Sequence, residues 1–253
     1  MFLFFFKSSL ISVLDRFSAA EGSKAEIGPV KIEIGRTILP PQYRNEPPIV
    51  ATTVKIDYGN RIPKIKDEGV TGATAGYSTS YALEILLYDT SFKGKEVSAR
   101  GIYEGAKLKD ELKGIHTGTS VHGVIKALMD EGFYWESDWP NDKPKKPTTA
   151  LPASKISGYK LIDSITDVIP QLKAGLPVIA AIHISDEFST PKDGVVKLSA
   201  EPVVKGVGTI CIVGYDQETK LFKFAQSWGT GWGESGFGYI SENDLKTVWW
   251  GGS

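Results

Sequence analysis

Few side chains here are equipped for covalent chemistry. Cys211 is the only thiol, and His116, His122 and His183 are the only imidazoles. The stretch Glu68 to Glu84, EGVTGATAGYSTSYALE, sets small residues just before an apolar-periodic run. Such a pattern delivers a nucleophile to the start of a helix, where unpaired N–H groups and the macrodipole favour negative charge. The residue delivered is Thr74, whose hydroxyl is almost wholly un-ionised near neutral pH and needs a base. His122 falls in a helix and His116 precedes it in a Gly/Thr loop, without the i, i+4 spacing of a metal pair. His183 ends the run PVIAAIH. A relocated Thr74–His183 pair therefore competes with a surface or capping histidine. A lone cysteine excludes an intrachain disulfide and Cys-type metal clusters, and Cys211 reads as a buried structural thiol. Trp228 and Trp232 read as packing aromatics rather than ligand platforms, and Lys143, Lys145 and Lys146 as a solvated linker. No cofactor and no metal are implied.

The elements that must position these groups fall into two sets. The runs Ser78 to Tyr88, Ser98 to Lys109 and Ser120 to Glu131 have helical spacing. From Ser157 onward YKLID, PVIAAIHI, GVVKL, TICIVGYD, LFKFAQSW and FGYI read as short strands, interrupted by one helix around Ile165 to Ala174. Helices first and strands afterwards predict an α+β fold with segregated lobes. VKIDYGNRIPKIKDEG reads as irregular chain ahead of them, and DKPKKPTTALPASK as a crossing between lobes.

At 253 residues the chain suits one large domain or two lobes sharing a cleft. Its formal net charge is -1 with no basic block, which argues against non-specific nucleic-acid binding. The N-terminal MFLFFFKSSLISVLDRFSAAEG lacks positive charge before its apolar run and is too short there to span a membrane. Leu3, Phe6, Leu10, Val13, Leu14 and Phe17 recur at helical spacing, predicting an amphipathic helix ending near Gly22. That helix packs either on its own domain or on another subunit, through Phe2, Phe6, Leu10, Val13 and Phe17. Residues 23–48 read as an extended connector with strand-like alternation at Val30, Ile32 and Ile34.

Five blocks, in order, resemble the papain-like cysteine peptidases of the disulfide-poor bacterial and phage type. IPKIKDEGVTGATAGYSTSYALE is similar to the family's loop and central helix, and GTSVHGVIKALMDEGFYWESDWPND to its second helical stretch. VIPQLKAGLPVIAAIHISDEF resembles the passage into the β lobe, VKGVGTICIVGYD the strand of the catalytic histidine, and FKFAQSWGTGWGESGFGYI the strand of the catalytic Asn. The resemblance implies a two-lobed papain-like fold over residues 46–253. The helical lobe would take about 68–142 and the β lobe about 157–253, with residues 1–45 as an N-terminal extension.

Carried over position by position, the resemblance places Thr74 where the nucleophilic Cys stands, and Gly208 where the basic His stands. Gln226 takes the place of the orienting Asn, and Glu68 that of the oxyanion-hole Gln. A base is missing, and an ionised Glu68 would repel the developing oxyanion, whose donors are worth about 10²–10³ in turnover. These four changes predict that the chain is not an enzyme. The expected function is that of a pseudopeptidase acting as a structural or assembly protein, in the virion of a bacteriophage or in the cytoplasm. Two alternatives are a binding module holding a peptide or cell-surface polymer in the cleft, and an enzyme with rewired Thr-based hydrolysis.

Overall fold

In the computed structural model, residues 2–3, 24–27, 30–33, 53–110 and 117–250 are described. The chain divides into two compact units, one of Met1–Phe6 with Thr53–Ser253, the other of Lys7–Thr52. Within the smaller unit, β2 (Lys24–Ile27) and β3 (Val30–Glu33) form an antiparallel pair in the register Lys24↔Glu33 and Ile27↔Val30. Phe2–Leu3, placed by spacing in an amphipathic helix, instead forms the short strand β1, antiparallel to β5 (Val178–Ser185). Phe is among the residues that favour a pleated strand. The predicted positions Phe6, Leu10, Val13 and Phe17 lie outside the described residues.

The larger unit is built on α1, Thr74–Leu87, whose residues from Ala75 to Ile85 are all buried. It begins four residues before the predicted Ser78, because tertiary packing recruits the Thr-Ala-Gly turn. A Cβ at Gly76 would lie 2.7 Å from the Ala99 carbonyl oxygen, so only glycine lets α1 approach the next helix this closely. That helix, α2 (Ala99–Lys109), is capped by Ser98, whose hydroxyl accepts from the Gly101 N–H. Ser120 caps α3 (Val121–Asp130) in the same way at Gly123. Both caps satisfy N–H groups that a helix start leaves unpaired.

A mainly antiparallel sheet runs β1–β5–β7–β8–β9–β6, with β4 (Lys55–Asp57) also on β7. The other strands are β6 (Val195–Val196), β7 (Val204–Asp216), β8 (Leu221–Ala225) and β9 (Phe237–Ser241). Side chains alternate across it with period two. Ile179, Ala181, Cys211, Val213 and Ala225 join a core with α1, α2 and α3. Val178, Ala180, Ile182, Ile210, Ile212, Phe222 and Phe224 join a second core on the other face. There they meet the short helices α4 (Val168–Lys173) and α5 (Glu242–Val248). The fold is thus α+β, with helices followed by a β-rich half.

Three further elements differ from the sequence reading. Strand β4 lies in the stretch read as irregular, and α5 was not anticipated. YKLID forms no strand: of its apolar residues Ile162 is buried, while Tyr159 and Leu161 are exposed.

Candidate functional site

The site is built where α1 begins against β7. The Thr209 N–H donates to Thr74 Oγ1 at 3.2 Å, and Ser78 Oγ donates to the Thr209 carbonyl at 2.7 Å. Those two bonds hold the first turn of the helix to one residue of the strand, and place Gly208 beside Thr74. A pocket of about 220 Å³ opens there, lined by Thr74, Ile184, Gly206, Val207, Gly208, Gln226 and Trp228, with Lys205 also on its wall. Gly208 leaves part of this space, but Ile184 crosses it: a Cβ at position 208 would lie 2.9 Å from Ile184 Cγ1.

Gln226 is fully buried, and its Oε1 accepts from the following Ser227 N–H at 2.9 Å. Its Nε2 has no hydrogen-bond partner. Glu68 is held on the neighbouring loop. Its N–H donates to the Ser227 carbonyl at 2.9 Å, and the Gly229 N–H donates to the Lys66 carbonyl at 3.2 Å, zipping the two loops together. Ser227 Oγ donates to Glu68 Oε1 at 3.1 Å. Burial pushes the Glu68 carboxyl up to about 7; the Ser227 hydroxyl, the Ala73 amide and the Trp228 indole pull the other way. Glu68 Oε2 is buried without a well-formed partner. Thr74, Gly208, Gln226 and Glu68 are therefore gathered at one end of α1.

The loop that carries Glu68 is pinned by an ion pair. Lys66 Nζ lies 2.6 Å from Glu84 Oε1 and 3.0 Å from Ser80 Oγ, with both charged side chains buried. Glu84 also accepts the Val97 N–H at 2.8 Å, and the Lys66 N–H donates to the Tyr81 hydroxyl at 2.7 Å. Nothing in the spacing of Lys66 and Glu84 announces this pair, because one residue lies in a loop and the other inside a helix.

The remaining reactive groups lie elsewhere. His183 stands on β5 next to Ile184, and since Ile184 lines the pocket, alternation turns the imidazole to the opposite face. Its ring lies 6.2 Å from that of Trp250, so the Thr74–His183 pairing does not form. Cys211 is buried in the core with the helices, where burial pushes its thiol far up. His122 is exposed on α3, and His116 lies outside the described residues. Trp228 and Trp232 pack edge to face at 5.5 Å, and the Trp232 indole donates to the Phe188 carbonyl. Trp228 serves both readings, since it packs on Trp232 and lines the pocket.

Residues 53–248 match the family described as Papain family cysteine protease. Gamete and mating-type specific protein A of Dictyostelium discoideum is 25% identical over 203 residues, covering 76% of this chain and 43% of that protein. A gut-specific cysteine proteinase of Caenorhabditis elegans is 33% identical over 147 residues, covering 53% of this chain and 44% of that one. The matched part is thus under half the length of either relative. Among solved structures, xylellain, a cysteine protease from Xylella fastidiosa, superposes with a TM-score of 0.59 at 22% identity. That match covers 74% of this chain and 79% of xylellain.

These matches correct one expectation. Four replaced positions suggested that the chain is not an enzyme. The family it matches is one of proteases, and relatives of its sequence and fold are named as cysteine proteases. The peptidase class is where the comparisons point.

Proposed function

The chain belongs to the papain family of cysteine proteases, and on that premise we propose that it acts on polypeptide, holding an extended segment across the start of α1 with a peptide carbonyl at Thr74. The observation carrying this reading is the pocket beside Thr74, where a helix N-terminus, a hydroxyl and the unpartnered Gln226 amide converge. Gln226 Nε2 and the first N–H groups of α1 are donors suited to a carbonyl oxygen.

Hydrolysis in this reading runs through the hydroxyl. Thr74 Oγ1 attacks the carbonyl carbon while its proton passes to Glu68. The C–N bond then breaks with that proton delivered to the leaving amine, and water hydrolyses the ester. Glu68 suits the role because its carboxyl titrates near neutrality. A hydroxyl without an imidazole makes this a slow reaction beside that of a thiolate.

The test is to incubate the protein with an unfolded protein mixture and map new termini by mass spectrometry. Thr74→Ala should abolish them, and Glu68→Gln should slow their appearance by about 10²-fold or more. Absence of new termini, or cleavage that persists in Thr74→Ala, overturns the reading. The assembly role expected of Phe2, Phe6, Leu10, Val13 and Phe17, in a bacteriophage particle or elsewhere, is a separate proposal resting on their apolar spacing. Light scattering of the chain with residues 1–20 deleted, against the full chain, tests it.

A further inference from the structure

A second and larger recess lies past Trp228, whose indole lines both it and the Thr74 pocket. Its volume is about 860 Å³, and its walls carry Asp67, Glu68, Glu96, Glu136 and Asp142. Three cations also border it. Two of them are engaged: Lys66 with the buried Glu84, and Arg100 with Glu104 and the Asn141 carbonyl. That leaves Lys64 against five carboxyl groups, and the recess is acidic.

Acidity alone would not make a site, since exposed carboxylates are well solvated by water. Two of these carboxyls are not so placed. Glu68 is 6% exposed and its Oε2 has no well-formed hydrogen bond. Glu136 spends one oxygen on the Asn141 N–H at 2.8 Å, and its Oε2 is likewise buried and unpartnered. Each such oxygen has lost water without gaining a well-formed hydrogen bond, which is costly unless something supplies one. Burial accordingly raises the carboxyl pKa of both groups. A ligand bearing several N–H donors and a positive charge would satisfy both oxygens at once.

We propose that this recess receives the side chain of a lysine or arginine belonging to the polypeptide bound at Thr74, with Glu68 and Glu136 as its acceptors. The inference rests on the polypeptide reading above and adds a charge preference to it. The shared Trp228 wall makes the two recesses neighbours, so one extended chain can serve both. An ammonium or guanidinium group entering the recess gains charge-assisted bonds to these oxygens.

The experiment measures fluorescence anisotropy with fluorescein-labelled Gly/Ala decapeptides that differ at one central residue: Lys, Arg, norleucine or Glu. At pH 8, Lys and Arg peptides should bind about tenfold or more tightly than norleucine, as one charge-assisted bond predicts, and Glu should bind worst. Glu136→Gln should remove most of that preference, read as the ratio of Lys to norleucine affinity. Glu68→Gln, checked for folding by circular dichroism, provides the second variant. Equal affinity for Lys, Arg and norleucine overturns the inference while the polypeptide reading stands. Failure of every peptide to bind overturns both. A preference that survives in both variants also overturns it, because the charge is then read elsewhere.

Discussion

Glu84 and Glu68 are two buried carboxylates at opposite ends of the environment made by one loop, and they are treated differently. Glu84 has the Lys66 ammonium at 2.6 Å and the Val97 N–H at 2.8 Å, inside the packed core of α1. Glu68, two residues past Lys66, has the Ser227 hydroxyl at 3.1 Å with the Ala73 amide and the Trp228 indole beside it, and among the described residues it forms no ion pair. Glu84 is therefore neutralised and serves the scaffold, fixing the loop to the helix. Each glutamate keeps a buried Oε2 without a well-formed hydrogen bond, but Glu68 lines a recess, which is where binding or proton transfer needs acceptor capacity.

The comparison breaks most visibly at Lys66. Lys66→Met leaves Glu84 buried without its cation and should destabilise the fold by about 3–5 kcal/mol. Urea denaturation monitored by circular dichroism would read it. Lys66→Met combined with Glu84→Leu should recover most of that loss, because replacing both partners removes the uncompensated charge. If the double variant is as unstable as the single one, the ion pair does more than neutralise Glu84.

Glu68 should respond in the opposite direction. Its carboxyl is raised from 4.5 to about 7 by burial, so the folded chain binds its proton more tightly than the unfolded chain. Stability then falls as pH rises from about 4.5 to about 7, with an upper limit of about 3 kcal/mol. Glu68→Gln should remove that dependence. It should raise the melting temperature by several degrees at pH 8, at about 2–4 °C per kcal/mol for a domain of this size. At pH 4, where the wild-type carboxyl is protonated in both states, the difference should vanish. A variant less stable than wild type at pH 8 would mean that Glu68 is held as a scaffold group, as Glu84 is.

Much of the scaffold was readable. Ser98 and Ser120 announced the starts of α2 and α3, since a short hydroxyl ahead of an apolar-periodic run accepts an N–H there. The apolar runs PVIAAIHI and TICIVGYD were read as strands, and β5 and β7 form there. What escaped had local signals that pointed elsewhere. Gly76 argues against a helix until the Ala99 carbonyl is seen lying against it. Strand β4 is mostly polar and exposed, and gains its identity from pairing Ile56 with Tyr215. Helix α5 is polar apart from Leu245 and Val248. The four positions around Thr74 were found through resemblance, and the structure does gather them. Their chemical meaning was overdrawn, because the sequence shows that an imidazole is gone but not that Glu68 is buried beside Ser227. Glu136 was missed altogether, since its unpartnered oxygen depends on contacts that no spacing encodes.

The smallest and sharpest prediction concerns Ser227. Its hydroxyl is buried and donates to Glu68 Oε1, with Gln226 Oε1 a more distant acceptor at 3.5 Å. A hydrogen bond to an ionised carboxylate is worth about 1.5–3 kcal/mol, and one between neutral groups about 1. Ser227→Ala should therefore cost about 1–2 kcal/mol at pH 8, where Glu68 is ionised, and less at pH 5, where it is protonated. The loss of a donor that favours the charged form should also carry the Glu68 pKa further upward, visible as a shift in the pH profile of stability. In the Glu68→Gln background, Ser227→Ala should lose its pH dependence, and the cycle of the two changes isolates the coupling. An equal loss at both pH values in the wild-type background would show that Ser227 packs the loop rather than steadying a carboxylate. The contrast between the two buried glutamates would then rest on Lys66 alone.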